Sequence, residues 1–290
     1  MNHHPLSRRE FTALLGAGVA TLAGGELRAA DLTAAEVISR IRANIGIPWN
    51  EKTYRDTYKI GGPDTRVAGI ATTFMSNLDV LQRAHAAGLN MVITHEPTFW
   101  SDADLIPPVA NDPLYKFKLD FANRNNMVVW RFHDHWHARK PDGISEGWNR
   151  QLGWEKYLAT GTPLVWNIPP STLGAVARHV ATSLKSRSVR VIGDPGMPVA
   201  KVGRGAHVIS GNMAVLPQVD MMIVSEAREW DSLEYIRDTV LSGQKKGAVV
   251  VAHEAGEEAG MDNCATWVRG FVSEVPVKFV ETHDQMWIPA

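Results

Sequence analysis

Histidine and carboxylate side chains are concentrated in three short segments of the chain. These segments are His95-Glu96, His133-Asp134-His135-Trp136-His137 and His253-Glu254-Ala255-Gly256-Glu257. Imidazole nitrogens and carboxylate oxygens are ligands with which proteins bind zinc, manganese, iron and cobalt. The single cysteine, Cys264, excludes a CxxC zinc site, an iron–sulfur cluster and an internal disulfide framework. A transition metal bound by this chain must therefore be held by histidine and carboxylate.

Each segment has an ordinary alternative when it is considered alone. His95-Glu96 could form a hydrogen-bonded turn, the middle segment could be a solvated polar loop, and His253 to Glu257 could be a charged helix start. Three histidines and one carboxylate within five residues are, however, costly to bury unless they coordinate an ion. Taken together, the three segments favour a metal site.

A predicted strand precedes each of the three segments. The apolar runs Asn90–Thr94, Met127–Phe132 and Ala248–Ala252 predict these strands. In open α/β sheets, ligands bind just beyond the carboxyl ends of the strands. The order of elements therefore places the histidine and carboxylate side chains where such a fold binds its ligands.

The rest of the chain also alternates predicted helices and strands, which indicates an α/β fold. The other predicted strands are Val67–Thr72, Pro163–Pro170, Val189–Ile192, Lys201–Val208, Met221–Val224 and Val277–Glu281. The predicted helices are Thr33–Asn44, Asn77–Ala87, Pro113–Arg124, Ser145–Leu152, Ser171–Leu184, Trp230–Leu241 and Glu257–Phe271. Residues 47–66 are predicted to be a loop. The stretch Asn167–Ser171 marks the expected boundary between a first lobe, residues 31–165, and a second lobe, residues 166–290.

Residues 1–30 have the pattern of an export signal. Ser7-Arg8-Arg9-Glu10-Phe11 resembles the bacterial twin-arginine motif, and an apolar stretch ending near Ala29 follows it. The stretch Thr12–Gly25 is too short and too rich in glycine for a good membrane span. The alternative is an amphipathic first helix of the domain. We expect export by the twin-arginine route to the periplasm or the medium, without membrane attachment after cleavage.

The overall charge is close to neutral. The chain has 30 Lys and Arg against 31 Asp and Glu, a formal net charge of −1. This balance excludes a strongly basic nucleic-acid-binding protein. A small-molecule ligand is the expected partner.

The three segments, in this order, resemble the motifs of the Nif-three-like dinuclear-metal family, also known as GTP cyclohydrolase I type II-like. Thr94-His95-Glu96-Pro97 is similar to the family's Thr-His-His-Pro, and His253 with Glu257 is similar to its Gly-His-x-x-Ser-Glu. His133 to His137, followed by Gly143-Ile144-Ser145-Glu146, is similar to its His-Thr-x-x-Asp and Gly-x-x-(Asp/Glu). Val189–Pro195 and Val224-Ser225-Glu226 also look like family segments. The likeness extends over roughly residues 33–290.

The resemblance implies a two-lobed α/β fold, a metal site between the lobes and a ring-shaped homohexamer. It implies two divalent ions, Zn, Mn, Fe or Co, and five ligands: His95, Glu96, His137, His253 and Glu257. Glu257 would bridge the ions, with His95 and His137 on one and Glu96 and His253 on the other. Glu96 stands where the family has histidine, and His137 where it has aspartate, so the total ligand charge is unchanged. Asp134 is the alternative to His137, and His133 and Asp134 could orient a ligand.

The implied function is a dinuclear metal-dependent hydrolase of a small molecule. Opening of the GTP purine ring is the reaction suggested for the family, but an exported protein rarely meets GTP, and the chain lacks a GxxxxGK[ST] phosphate loop. A cyclic amidine, an amide, a phosphoester or a nucleotide-like compound is therefore open as substrate. Glu226 is the candidate proton carrier, with a surface glutamate as its alternative. The alternative functions are a non-catalytic metal-binding ring scaffold and an unrelated metallo-hydrolase built on His133, His135 and His137.

Overall fold

The computed structural model describes residues 32–161, 164–282, 286 and 289. The expected export signal, residues 1–30, lies outside this range. Helices α1 to α9 span Ala34–Asn44, Leu78–Ala86, Pro113–Arg124, Asp134–Ala138, Gly143–Leu152, Leu173–Ser183, Ile209–Val215, Glu234–Leu241 and His253–Arg269. Strands β1 to β10 span Tyr58–Ile60, Ile70–Met75, Met91–Glu96, Val128–Arg131, Val165–Thr172, Arg190–Ile192, Pro198–Arg204, Met221–Ser225, Gly247–Val251 and Val277–Phe279.

The strands form two five-stranded sheets. The first sheet has the order β1-β4-β3-β2-β10, and only β1 is antiparallel to its neighbour. The second sheet has the order β5-β7-β8-β9-β6, with a parallel centre and antiparallel strands at both edges. This arrangement is the two-lobed α/β fold that the sequence predicts. The last strand, β10, pairs with β2 and so returns the chain to the first sheet.

The central strands are continuous apolar runs because both faces of each sheet are covered. Every residue of β8 and β9 is buried, and so are the first five residues of β3. The helices carry sequence-encoded start signals: Thr33 and Glu36 form a capping box at α1, and Asn77 caps α2. Local sequence and tertiary burial therefore agree along most of the chain.

Helix α9 packs across α5 at a pair of glycines. A Cβ atom added to Gly260 would lie 2.4 Å from Ile144 Cα, and one added to Gly147 would lie 2.2 Å from the Ala259 carbonyl oxygen. At Gly256, an added Cβ would lie 2.6 Å from Ser225 Oγ at the end of β8. These close approaches hold the first turns of α9 between the two sheets.

The structure differs from the sequence prediction most clearly in four places. Helix α9 begins at His253 rather than at Glu257, and His133 to His137 are the N-cap and first four residues of the short helix α4 rather than a loop. Strand β1 lies within the predicted loop 47–66, where it pairs with β4. The stretch Asn167–Ser171 lies inside β5 as an irregular part of its pairing with β7. In each of these segments the local sequence is polar or rich in proline and so predicts no regular element. Contacts with distant residues therefore determine the secondary structure there.

Among the described residues, no helix is both long enough and apolar enough to cross a membrane.

Candidate metal centre

The carboxyl ends of parallel strands from both sheets converge on one site. From the first sheet, His95 and Glu96 end β3, and His133 follows β4. From the second sheet, His253 opens α9 directly after β9, and Glu257 lies one turn later on the same helix. His95 Nε2 lies 3.2 Å from His137 Nε2 and 3.3 Å from Glu257 Oε2. The three separated sequence segments are thus brought into contact.

The first group of donors consists of His95, His133 and His137, whose nearest ring nitrogens all lie within 4.8 Å of one another. His95 Nδ1 donates to the Phe132 carbonyl at 3.2 Å, and His137 Nδ1 donates to Asp142 at 2.9 Å. When both rings are neutral, their Nε2 atoms carry lone pairs that face each other at 3.2 Å. Two lone pairs at this distance repel unless a cation lies near both. Orientation of each imidazole by a carbonyl or carboxylate on its other nitrogen is typical of metal ligands.

His133 is a member of this group because α4 turns it towards His95. Its ring stacks on that of His95 with a centroid distance of 4.5 Å, and its Nδ1 lies 3.0 Å from Asp134 Oδ1. Burial, reinforced by the neighbouring His95 and His137, lowers the pKa of His133 to about 2. The imidazole is therefore neutral, and its lone pair is available to bind a metal ion.

Asp56 holds the start of α4 in place. Its Oδ1 accepts the backbone N–H groups of His133 and Asp134 at 2.6 and 2.9 Å. Its Oδ2 accepts the backbone N–H of His135 at 2.9 Å and lies 2.5 Å from the Nδ1 of the same residue. One buried carboxylate thus replaces the missing side-chain cap of a five-residue helix.

The second group of donors consists of His207, His253 and Glu257, which again lie within 4.8 Å of one another. His253 Nε2 is 3.2 Å from Glu257 Oε2, the oxygen that also faces His95. Glu257 Oε1 lies 3.4 Å from Arg204 Nη2 and 3.5 Å from His207 Nε2. The carboxylate of Glu257 therefore stands between the two groups, as a bridging ligand would.

Glu96 also stands between the groups. Its Oε1 lies 3.8 Å from both His133 Nε2 and His253 Nε2, and its Oε2 accepts from the buried Arg131 at 3.2 Å. His95, Glu96 and Glu257 form a third set of close donors. Both carboxylates are thus shared by the two sets of imidazoles.

The ionisation of Glu257 is unusual for a buried residue. Its side chain is 1% exposed, and burial alone would raise its pKa, but the imidazoles of His207, His253 and His95 hold that pKa well below the usual range. Its partner His207 has its pKa raised to about 10, first by Glu226 and then by Glu257. Negative charge at the centre of the site is therefore stabilised by several potential cations.

Two buried atoms at the centre, His253 Nε2 and Glu257 Oε2, lie 3.2 Å apart, yet neither has a hydrogen bond of good geometry to any described residue. Leaving such groups unpaired costs about 1–3 kcal/mol each. Two donors about 2.1 Å from a tetrahedral ion are about 3.4 Å apart, close to the 3.2–3.3 Å separations of Glu257 Oε2 from His253 and His95. The donor set fits divalent metal ions.

Asp134 and Glu226 flank the donors. Asp134 contacts His133 Nδ1, Thr53 Oγ1 at 2.6 Å and Arg55 Nη1 at 3.3 Å. Glu226 follows β8 with a positive φ of 51°, and its Oε2 lies 2.6 Å from His207 Nδ1 and 3.7 Å from His253 Nδ1. Both carboxylates therefore face the outer nitrogen of a histidine.

A cavity of about 620 Å³ opens beside the donors. Its polar wall contains Glu96, His133, His207, Glu226 and His253. Its other walls include the apolar side chains Met75, Leu78, Pro97, Trp100 and Leu114 and the cationic side chains Arg55, Lys118 and Arg228. The site is thus accessible to a small molecule with both polar and apolar parts.

A family model described as Duf34/NIF3 (NGG1p interacting factor 3) matches residues 33–285. The chain belongs to this family. The match confirms the resemblance seen in the sequence motifs and accounts for the two-lobed fold. No curated protein matches the sequence.

Several solved structures share the fold at low sequence identity. The Bacillus cereus protein related to NIF3 is 13% identical, with a TM-score of 0.71 over 89% of this chain and 99% of that one. Staphylococcus aureus protein SA1388 is 14% identical, with a TM-score of 0.68 over 90% and 100% of the two chains. Reduced HcgD from Methanocaldococcus jannaschii is 14% identical, with a TM-score of 0.56 over 86% and 97%.

The structure adds two histidines to the five donors expected from the sequence. The sequence motifs give His133 only an orienting role, although its spacing from His137 is that of one helical turn. They give His207 no role, because the predicted strand Lys201–Val208 encloses it. Strand β7 ends at Arg204, so His207 also lies just beyond the carboxyl end of a strand. The rule that locates the other segments would also locate His207 if the end of the strand were visible in the sequence.

Proposed function

We propose that this protein is a metal-dependent hydrolase that acts on a small molecule at a centre of two divalent ions. The observation that carries the proposal is the meeting of two groups of donors at two buried atoms, His253 Nε2 and Glu257 Oε2, which lie 3.2 Å apart without forming a hydrogen bond. Membership of the Duf34/NIF3 family and the adjoining cavity support it.

His95, His133 and His137 would hold one ion, and His253 with Glu96 the other, with Glu257 shared. When bound, two such ions polarise a carbonyl or phosphoryl oxygen and lower the pKa of a water molecule. Arg131 and Arg204 contact the two carboxylates and so keep their orientation when the cavity is open to solvent. The protein's part is to keep these groups fixed before the substrate arrives.

Glu226 would serve as the proton carrier. Its contacts with His207 and His253 use Oε2, and the residue lines the cavity. Oε1 can therefore accept a proton at the substrate side while Oε2 stays on the imidazoles. The hydrogen bond from His207 lowers the pKa of Glu226, so the carboxylate is ionised near neutral pH and a weaker base than an ordinary glutamate.

The cavity favours a compact substrate that presents a hydrolysable carbonyl, amidine or phosphoryl group to the donors and an apolar or ring portion to Trp100 and Leu114. A cyclic amide, a cyclic amidine or a nucleotide-like compound meets this description. Binding of a small substrate in a partly apolar pocket with few polar anchors is the usual arrangement in enzymes.

The test combines metal analysis with a substrate panel. Protein purified after export should contain about two ions per chain, and His253→Ala should lose metal without unfolding. The matched control is His85→Ala, a substitution of an exposed histidine outside the site. Turnover of a cyclic amide, amidine or phosphoester with Zn, Mn, Fe or Co would support the proposal. Metal binding without turnover on any class would favour the non-catalytic scaffold, and metal-free protein would contradict both.

Export and assembly are further parts of the proposal. The twin-arginine pattern in residues 1–30 predicts delivery of the folded protein to the periplasm or the medium. Changing Arg8 and Arg9 to Lys should retain the protein in the cytoplasm in a fractionation experiment. A homohexamer is expected from the resemblance, and sedimentation analysis of the exported protein measures it directly.

A further inference from the structure

The loop that carries His207 is held by a buried asparagine. Asn212 is fully buried, and its Oδ1 accepts from the backbone N–H of Ala206 at 2.8 Å. Its Nδ2 donates to the carbonyl of Ala206 at 3.0 Å and to Ser232 Oγ at 2.8 Å. The N–H and the carbonyl group of Ala206, the residue before His207, are therefore both held by hydrogen bonds to Asn212, which fixes the conformation of the loop.

Glu226 fixes the imidazole of His207 from the other side. Its Oε2 lies 2.6 Å from His207 Nδ1, and a positive φ of 51° places Glu226 outside the usual range for a residue with a side chain. Non-glycine residues in this region are associated with functional sites, where surrounding contacts hold them. In metal sites a carboxylate commonly orients a metal-ligating imidazole, and Glu226 and His207 have this arrangement.

With Nδ1 donating to Glu226, Nε2 is the nitrogen of His207 that points at the site. It lies 3.5 Å from Glu257 Oε1, which itself already receives Arg204 at 3.4 Å, and the ring lies 5.1 Å from the ring of His253. A nitrogen and a carboxylate oxygen at this distance share a cation, which in the metal-free chain is a proton on His207. A divalent ion held by His253 and Glu257 would take the place of that proton, since metal binding to histidine releases protons.

Donor counts lead to the same assignment. The first group has three imidazoles with Glu257, whereas the second, if His207 is left out, has only His253 with Glu257 and Glu96. Glu96 stands where the related motif has its second histidine, so without His207 the second group lacks an imidazole. His207 would restore that imidazole from the second sheet and give each ion four protein donors, the usual number for a tetrahedral site.

We propose that His207, oriented by Glu226, is a ligand of the second metal ion and replaces the imidazole lost at Glu96. This inference rests on the proposed two-ion centre. It makes the second ion a link between the first sheet, through Glu96, and the loop after β7, through His207.

The experiment measures metal binding of the full chain, by metal analysis and by titration with Co²⁺ followed by absorption. Wild-type protein should take up two ions. His207→Ala should keep the first ion and bind the second at least tenfold more weakly, with a changed absorption spectrum for that ion. His85→Ala is the matched control, and thermal unfolding of the metal-free variants checks that each is folded.

A second pair of variants tests the orienting role. Glu226→Ala should weaken the second ion about 10–100-fold, the usual effect of removing a group that orients a ligand. Glu226→Gln should retain most of the affinity, because its amide oxygen accepts the same hydrogen bond from Nδ1. Equal decreases in affinity in both variants would overturn the orienting role.

The outcomes separate this inference from the proposed function. Two ions bound equally tightly by the wild type and His207→Ala, with identical spectra, would overturn the ligand assignment and leave the two-ion centre intact. A wild-type chain that binds fewer than two ions would overturn the proposed centre and this inference with it.

Discussion

Replacing Asp56 by Asn should both destabilise the fold and weaken the first group of metal donors. The carboxylate accepts three backbone N–H groups at the start of α4 and the Nδ1–H of His135. His135 cannot change its tautomer without cost, because its Nε2 accepts from the backbone N–H of Asn50 at 2.8 Å and its ring stacks on Trp49 at 3.6 Å. The side-chain NH2 group of an asparagine at position 56 would therefore face the backbone N–H and the Nδ1–H of His135 and could accept neither hydrogen bond.

The magnitude follows from the hydrogen bonds that an amide at position 56 cannot accept. Hydrogen bonds to a charged acceptor contribute about 1.5–3 kcal/mol each, and an unpaired buried donor costs a similar amount. Asp56→Asn keeps the two bonds of Oδ1 and removes the two of Oδ2, so we expect a decrease of about 3–6 kcal/mol in the free energy of unfolding. This is a large part of a typical total stability of about 5–15 kcal/mol.

The same change should alter metal binding, since α4 carries His133 and His137. Metal affinity at the first group should fall about 10–100-fold, as it does when supporting hydrogen bonds of a ligand are removed. Urea unfolding of the chelator-treated protein gives the stability term, and Co²⁺ titration gives the affinity. Asp64→Asn, a change at an exposed aspartate, is the matched control. Equal unfolding and equal affinity in the two variants would refute the role assigned to Asp56.

Three further predictions concern packing, pH and metal. Gly260→Ala should lower the free energy of unfolding, measured by urea denaturation, by about 2–3 kcal/mol, because the added Cβ would overlap Ile144. Gly62→Ala is the control and should not lower it, because the space around Gly62 is open. Burial raises the pKa of Glu258 to about 8. The folded chain therefore binds its proton more tightly than the unfolded chain, and stability falls as pH rises from about 4.5 to 8. Glu258→Gln should remove this fall and be about 1–3 kcal/mol more stable than the wild type at pH 8 in chelator. Chelation of the wild-type protein should lower its melting temperature, and excess metal should restore it. Each ion should add about 2.7 kcal/mol to the free energy of unfolding at a hundredfold excess over Kd. An unchanged melting temperature would argue against bound metal.

Most of the secondary structure was predictable because buried parallel strands and capped helices leave local patterns. The run Met221–Val224 and the cap at Thr33 are examples, and both stand in the structure. Helix α4 was not predictable, because its cap is Asp56, 77 residues before His133. The start of α9 was also misplaced, because the acidic pair after Gly256 resembles a first helical turn.

The sequence by itself determined the chemistry of the donors and their order along the chain. Clusters such as His95-Glu96 and His253 with Glu257 are visible because residue type and strand ends are local properties. Only the tertiary structure decided which side chains share the site. It brings the strand ends of both sheets together and thereby adds His133, His207 and the orienting carboxylate of Asp56. These contacts join residues far apart in the chain, and a local pattern of residues carries no record of such distances.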